Sequence, residues 1–218
     1  MHFDLVQPYL NMFQSGLAVT LTFTLLSLIT ASVLGVIVAV LKVIPCRPVN
    51  LLMRFYTSLC RGIPLMVQLF LVYFATPQLT GYKVTPLLAG VITFGLNGAA
   101  TMSEMLRGGI QSVDKGQYEA SVAMGISYTR MMKDIIFPQA LRSTLPSLIN
   151  EAIMMLKNSS LVSTIGVVDI LRSAQTIQSL TYVAFEPLII AAAMYYVLVM
   201  ALTIAAGRFD RRLHRNGR

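Results

Sequence analysis

The sequence predicts an all-α integral membrane protein of about five transmembrane helices. Three observations carry the prediction. Of the 218 residues, 56% are hydrophobic and only 12% are charged, about half the charge of a soluble domain. The apolar residues gather in five runs near the roughly 20 residues that cross a bilayer. Lysine and arginine bunch in alternate connections, the pattern that sets orientation. The length suits one membrane domain, residues 1–218, with no added soluble domain.

The opening "MHFDLVQPYLNM" holds Asp4 and Pro8 and lacks a basic leader or small-residue cleavage site, so no cleavable signal peptide is expected. The first span is expected over residues 16–43 and the second over 51–76. "CRGIPLMVQ" puts Gly62 and Pro64 inside the second. Pro64 removes a helix hydrogen bond, so a kink or a broken helix is expected there, and broken helices often line transporter substrate sites. The third span is expected over 85–110 and the fifth over 187–207. The fourth, over 145–168, is the least apolar, being interrupted by Glu151, Lys157 and Asn158.

Lys42, Arg47 and Arg54 flank the first connection; Lys115, Arg130, Lys133 and Arg142 lie in the third; Arg208, Arg211, Arg212, Arg215 and Arg218 lie in the tail. The second and fourth connections hold only Lys83 and Arg172. Five spans with the N-terminus outside and the C-terminus inside satisfy every loop. The net charge of +8 then reads as topology anchors near anionic lipid rather than as a nucleic-acid surface. Cys46 and Cys60 have no metal-type spacing, and His2 and His214 sit at opposite ends, so no metal site is expected.

Polar residues inside spans face a cavity or another helix, and here they fall on stripes. Thr20, Thr24 and Ser27 are spaced i, i+4, i+7, as are Asn97, Thr101 and Glu104. Glu151 and Asn158 are seven apart, as are Arg61 and Gln68. Such spacings share one helix face. Two readings stay open: hydrogen-bonding glue between helices, with Arg107 as a structural partner for Glu104, or a polar path for a small zwitterion, with Glu104 drawing an amino group and Asn97 and Gln68 hydrogen bonding.

No H-E-x-x-H, G-x-S-x-G or Walker A pattern occurs, so neither a familiar membrane hydrolase nor ATP hydrolysis by this chain is expected. A passive channel or a membrane enzyme subunit remains as the alternative. Neither accounts for the charged, helix-patterned segment Tyr118 to Ala140, "YEASVAMGISYTRMMKDIIFPQA", between two spans on the basic side.

That segment resembles the EAA loop of bacterial ABC importer permeases, in which Glu-Ala-Ala is followed at fixed spacing by Gly, Ile and Leu-Pro. Glu119, Ala120, Gly125, Ile135 and Pro138 match in register, while Ser121 replaces an alanine and Phe137 a leucine. "GLAVTLTFTLLSL", "RGIPLMVQLFLVYF", "EMLRGGIQSVDKGQYEA" and "MLKNSSLVSTIGVVDI" are similar to the permeases of the polar amino acid uptake group, which handle histidine, glutamine, glutamate, arginine, cystine or opines.

The resemblance implies a transport subunit of a binding-protein-dependent importer in a bacterial inner membrane, working by alternating access. It implies a cytoplasmic ABC ATPase dimer that binds Mg-ATP, a second like or identical permease subunit, and an extracytoplasmic amino acid-binding protein. The chain itself would carry no cofactor. Residues 113–142 would form the coupling loop, with Gly125 at the turn between two short helices and Pro138 opening the return helix. Tyr118, Ala123, Met124 and Ile126 would supply small and apolar contacts to the ATPase. By the same resemblance Asn97, Glu104 and Asn158, with Thr24 and Gln68, would form an amino acid site. Asn158 stands where many members carry Asp, which argues against a strongly cationic substrate.

Overall fold

The computed structural model describes residues 3–44 and 46–215, and side chains as far as Arg208. All regular structure among the described residues is helical. The N-terminal rod is α1 (Phe3–Val6), one 3-10 turn (Gln7–Tyr9) and α2 (Leu10–Val43). At 1.5 Å per residue, the 34 residues of α2 reach about 51 Å, well beyond a hydrocarbon core of about 30 Å. The rod therefore begins earlier than hydropathy predicts. Val6 and Phe13 hold its start by packing on Ile170, Ala174, Ile177 and Ala191.

The expected second span is two helices. α3 (Arg47–Gly62) ends at Ile63–Pro64, and the chain resumes as α4 (Leu65–Phe70), a π turn (Leu71–Ala75) and α5 (Thr76–Thr80). The two halves meet at 106°, far more than a proline kink. α3 is amphipathic: Arg47, Arg54 and Arg61 repeat every seven residues on one flank, and Leu51, Leu52, Phe55 and Leu59 stand exposed on the next.

α6 (Pro86–Ser112) opens with Thr85 as cap, its hydroxyl accepting from the Leu88 amide, and with Pro86 at the first turn, both favoured there. It packs along α2, and Phe23 meets Phe94 edge-on at a 5.0 Å ring separation. Around that pair the core gathers Ala31, Leu69, Met102, Met155 and Val162.

After α7 (Lys115–Ala123) the chain turns into α8 (Tyr128–Arg130), a π turn (Met131–Ile136), α9 (Phe137–Asn158) and a 3-10 turn (Ser159–Ile165). Pro138 lies in the first turn of α9, as expected, but α9 continues from the preceding π turn without a break. Backbone angles stay right-handed helical from Arg130 through Phe137, so Pro138 lies within a helix that starts at Tyr128. The widened π turn sits just before it, where proline would otherwise crowd the carbonyl four residues back.

The expected fourth connection also holds a helix, α10 (Ile170–Thr181), bent 45° from the segment before it. α11 (Phe185–Arg215) closes the chain. Arg211, Arg212, Arg215 and Arg218 lie beyond the described side chains. Among the described residues, three helical stretches are long and apolar enough to cross a membrane, or up to five if each bent pair counts as one span.

Candidate functional site

Among the described residues, two cavities with polar walls hold most of the expected site residues. The small one, about 20 Å³, lies between α4, α6 and α9 and is walled by Asn97, Glu151 and Asn158 with Leu65, Phe94 and Met155. It brings together two residues of the expected amino acid site and adds Glu151, which the sequence places on the Asn158 face of its span but not among the expected site residues. Glu151 is half-buried and, among the described residues, has no hydrogen-bond or ion-pair partner.

Asn97 and Gln68 converge at the break between α3 and α4. The Asn97 side-chain amide donates to the Cys60 carbonyl at 2.8 Å. Gln68 donates to Cys60 and Ile63 carbonyls, both at 2.7 Å. A helix that ends inside a membrane leaves carbonyls without partners, and these two amides supply them. Tyr56 adds a third tie, its hydroxyl donating to the Leu96 carbonyl at 2.6 Å. Thr24 is satisfied within α2, donating to the Thr20 carbonyl at 2.8 Å, and stays apart from both cavities.

Glu104 lies two turns along α6 from Asn97, in the larger cavity of about 650 Å³. Its carboxylate takes a hydrogen-bonded ion pair from buried Lys42 and a second from Arg107 at 2.8 Å. Lys42 also donates to Thr57 and Ser103 at 3.2 Å, so one ammonium joins α2, α3 and α6. Arg107 was foreseeable at i+3; Lys42, 62 residues away in sequence, was not.

The charged segment forms a helical hairpin. Asp114 caps α7, accepting from the Gly116 amide at 2.6 Å. At its far end the Ile126 amide donates to the Ser121 carbonyl and the Gly125 amide to the Val122 carbonyl, both at 3.0 Å, with Gly125 at φ 68°. That is a Schellman closure, and its left-handed position suits glycine. Ser121 is buried, Ile135 half-buried, and Glu119, Ala120 and Pro138 exposed. Tyr118 is half-buried, its hydroxyl donating to the Ile110 carbonyl at 3.3 Å, and burial pushes its phenol above the usual range. At the turn Val122, Met124 and Tyr128 stand 70%, 69% and 60% exposed, an apolar knob on an otherwise polar hairpin.

A buried polar cluster that the sequence did not reveal ties α2, α10 and α11. Asp169 caps α10 by accepting from the Arg172 amide at 2.8 Å and from the Tyr195 hydroxyl at 3.0 Å. Thr20 accepts from the Ile170 amide at 3.2 Å. Only the position of Asp169 just before a helical pattern signals this.

The profile of binding-protein-dependent transport system inner membrane components matches residues 31–215. The chain belongs to this family. It is a helical permease of a bacterial inner membrane, and its family works with a separate ATPase and a separate substrate-binding protein. The arginine transport permease ArtQ of Bacillus subtilis is 42% identical, over 98% of both chains. The putative glutamine transport permease GlnP of Rickettsia felis is 41% identical over 94% of both. Among solved structures, an amino acid ABC transporter with histidines superposes with a TM-score of 0.94 at 39% identity, covering 97% of this chain and 99% of that one. The MetNI methionine transporter shares the fold at 20% identity, with a TM-score of 0.80 over 94% and 97% of the chains.

Proposed function

We propose that this permease is the transmembrane subunit of an ATP-driven importer of polar amino acids. The observation that carries the reading is near-complete, end-to-end likeness to amino acid permeases in both sequence and fold. The N-terminus faces outside and the C-terminus the cytoplasm, as the basic connections require. Each bent helix pair then counts as one span within a single membrane domain.

Residues 113–142 act as the coupling element. The Val122–Met124–Tyr128 knob seats on the ATPase, and Gly125 sets the angle at which it is presented. Mg-ATP binds only on that partner. Two permease subunits enclose the path, and the extracytoplasmic binding protein delivers the amino acid. The small cavity at Asn97, Glu151 and Asn158 marks the middle of the path. Glu151 supplies its carboxylate, because Glu104 is already engaged by two cations. Alternating access follows only if ATP and substrate bind its two states with different affinity.

The test is purification of the tagged chain from its native membrane with identification of what accompanies it. Equimolar recovery of a Walker-type ATPase supports the coupling reading, and a second permease in the eluate reveals a heterodimer. Intact, solubilised chain recovered without any ATPase would favour a channel instead.

A further inference from the structure

The larger cavity carries more positive charge than its structure uses. Lys42, Arg54, Arg61 and Arg107 line it, against the single carboxylate of Glu104. Glu104 is spent on Lys42 and Arg107. Among the described residues the guanidinium groups of Arg54 and Arg61 have neither a hydrogen-bond nor an ion-pair partner. A residue kept only to set topology lays its stem on apolar surface and its head at the lipid boundary. These two instead border a polar cavity, together with Asn50, Thr57, Ser58 and Gln111. A guanidinium fork matches a carboxylate with two parallel hydrogen bonds.

The position of the cavity adds direction. Asn97, Glu104 and Gln111 repeat every seven residues along α6, so the small cavity lies about 10 Å, two helical turns, from the basic one. Lys42 and Gln111 lie in the last turns of α2 and α6, which is the cytoplasmic end in the orientation proposed above. At about 650 Å³ the basic cavity holds a small solute with its hydration, a water taking up roughly 30 Å³ of liquid.

We infer that the groove between α3 and α6 is a carboxylate-binding station for the transported amino acid on its cytoplasmic side, with Arg54 and Arg61 as the binding groups. The inference rests on the amino acid reading above. It applies to the α-carboxylate that every amino acid carries, so it is indifferent to the side chain. Cavity walls of one sign focus the field and raise the local concentration of the opposite charge. The groove thereby draws the substrate out of the small cavity carboxylate first.

The test uses the complete transporter, with its ATPase and binding protein, in vesicles of phosphatidylcholine. Uptake of the twenty standard L-amino acids selects the best-transported one. Its protection of individual arginines against phenylglyoxal is then read by mass spectrometry, beside that of its decarboxylated amine. At ten times its Kd the amino acid is expected to slow modification of Arg54 and Arg61 about tenfold, and the amine not at all. R61Q is expected to raise the KM for uptake by about tenfold or more, and R61K to recover part of that loss.

Equal protection by the amine would overturn the inference. So would protection that follows added phosphatidylglycerol instead of the amino acid, which would make the groove a lipid headgroup site. Uptake without protection of either arginine sinks this inference alone, whereas no uptake of any of the twenty sinks the amino acid reading with it. Because the protection assay uses the unaltered chain, a poorly inserted R61Q does not weaken the decision.

Discussion

Lys42 and Glu104 show what a buried charge demands. The Lys42 side chain is 4% exposed and that of Glu104 20%, so removing the carboxylate leaves a cation on a nearly buried side chain. Glu104→Gln is expected to cost roughly 1–3 kcal/mol, below the 3–5 typical of a fully buried pair because Glu104 keeps some solvent and Lys42 keeps two hydroxyl acceptors. Lys42→Met combined with Glu104→Leu should recover much of the loss, and thermal unfolding in detergent of the two single variants and the pair measures it. If the double variant is as unstable as the sum of the singles, the ion pair is not what holds α2 to α6. Asp169→Ala, which strips the α10 cap and leaves the Tyr195 hydroxyl without its acceptor, should cost about 1–3 kcal/mol. Asp169→Asn should cost less, since its amide oxygen still accepts from Arg172.

Helix by helix, the sequence exposed what depends on local pattern and hid what depends on distant partners. The apolar runs located α2 and α11 because each is long and strongly apolar, and α6 because its polar residues keep to one stripe; Gly125 announced a turn because its neighbours on both sides read as helix. The 106° elbow at Pro64 is larger than a kink because Asn97 and Gln68 satisfy the carbonyls that a full break exposes, and Asn97 lies on a different helix. The same partnership gives two amides expected as substrate ligands a structural duty at the break as well. Lys42 was legible as a topology charge but not as the ally of Glu104, since nothing local joins residues so far apart. Two glycines test how firmly the elements are set. Gly125→Ala must adopt φ 68° and should weaken the hairpin by about 1 kcal/mol, lowering ATP-coupled uptake while membrane insertion stays normal. Gly109→Ala meets the Ala140 carbonyl at 2.8 Å and the Thr144 side chain more closely still. It should force α6 from α9 and lower the yield of folded chain.

For the whole molecule, the exposed faces divide by use. Leu25, Ile29, Val33 and Val40 on α2, and Tyr196 and Val197 on α11, offer apolar surface of the kind that lipid or a second permease covers. The Val122–Met124–Tyr128 knob lies on the basic-loop side, where neither lipid tails nor a pore would need it. Met124→Asp should therefore reduce ATPase recovery in a pull-down by tenfold or so, on the order of 1.4 kcal/mol, with unchanged chain yield. Equal recovery from the variant would place the coupling contact elsewhere. The elbow has a consequence in time as well as in space. The Cys60 carbonyl at the end of α3 takes one donor from Gln68 within the same bent pair and a second from Asn97, 37 residues further along the chain. During synthesis the bent pair of α3 with α4 and α5 therefore enters the bilayer with its own Gln68 covering the break, and its second donor comes with α6. The elbow is thus expected to tighten only once α6 follows it into the bilayer, an earlier segment drawing its last hydrogen bond from a later one.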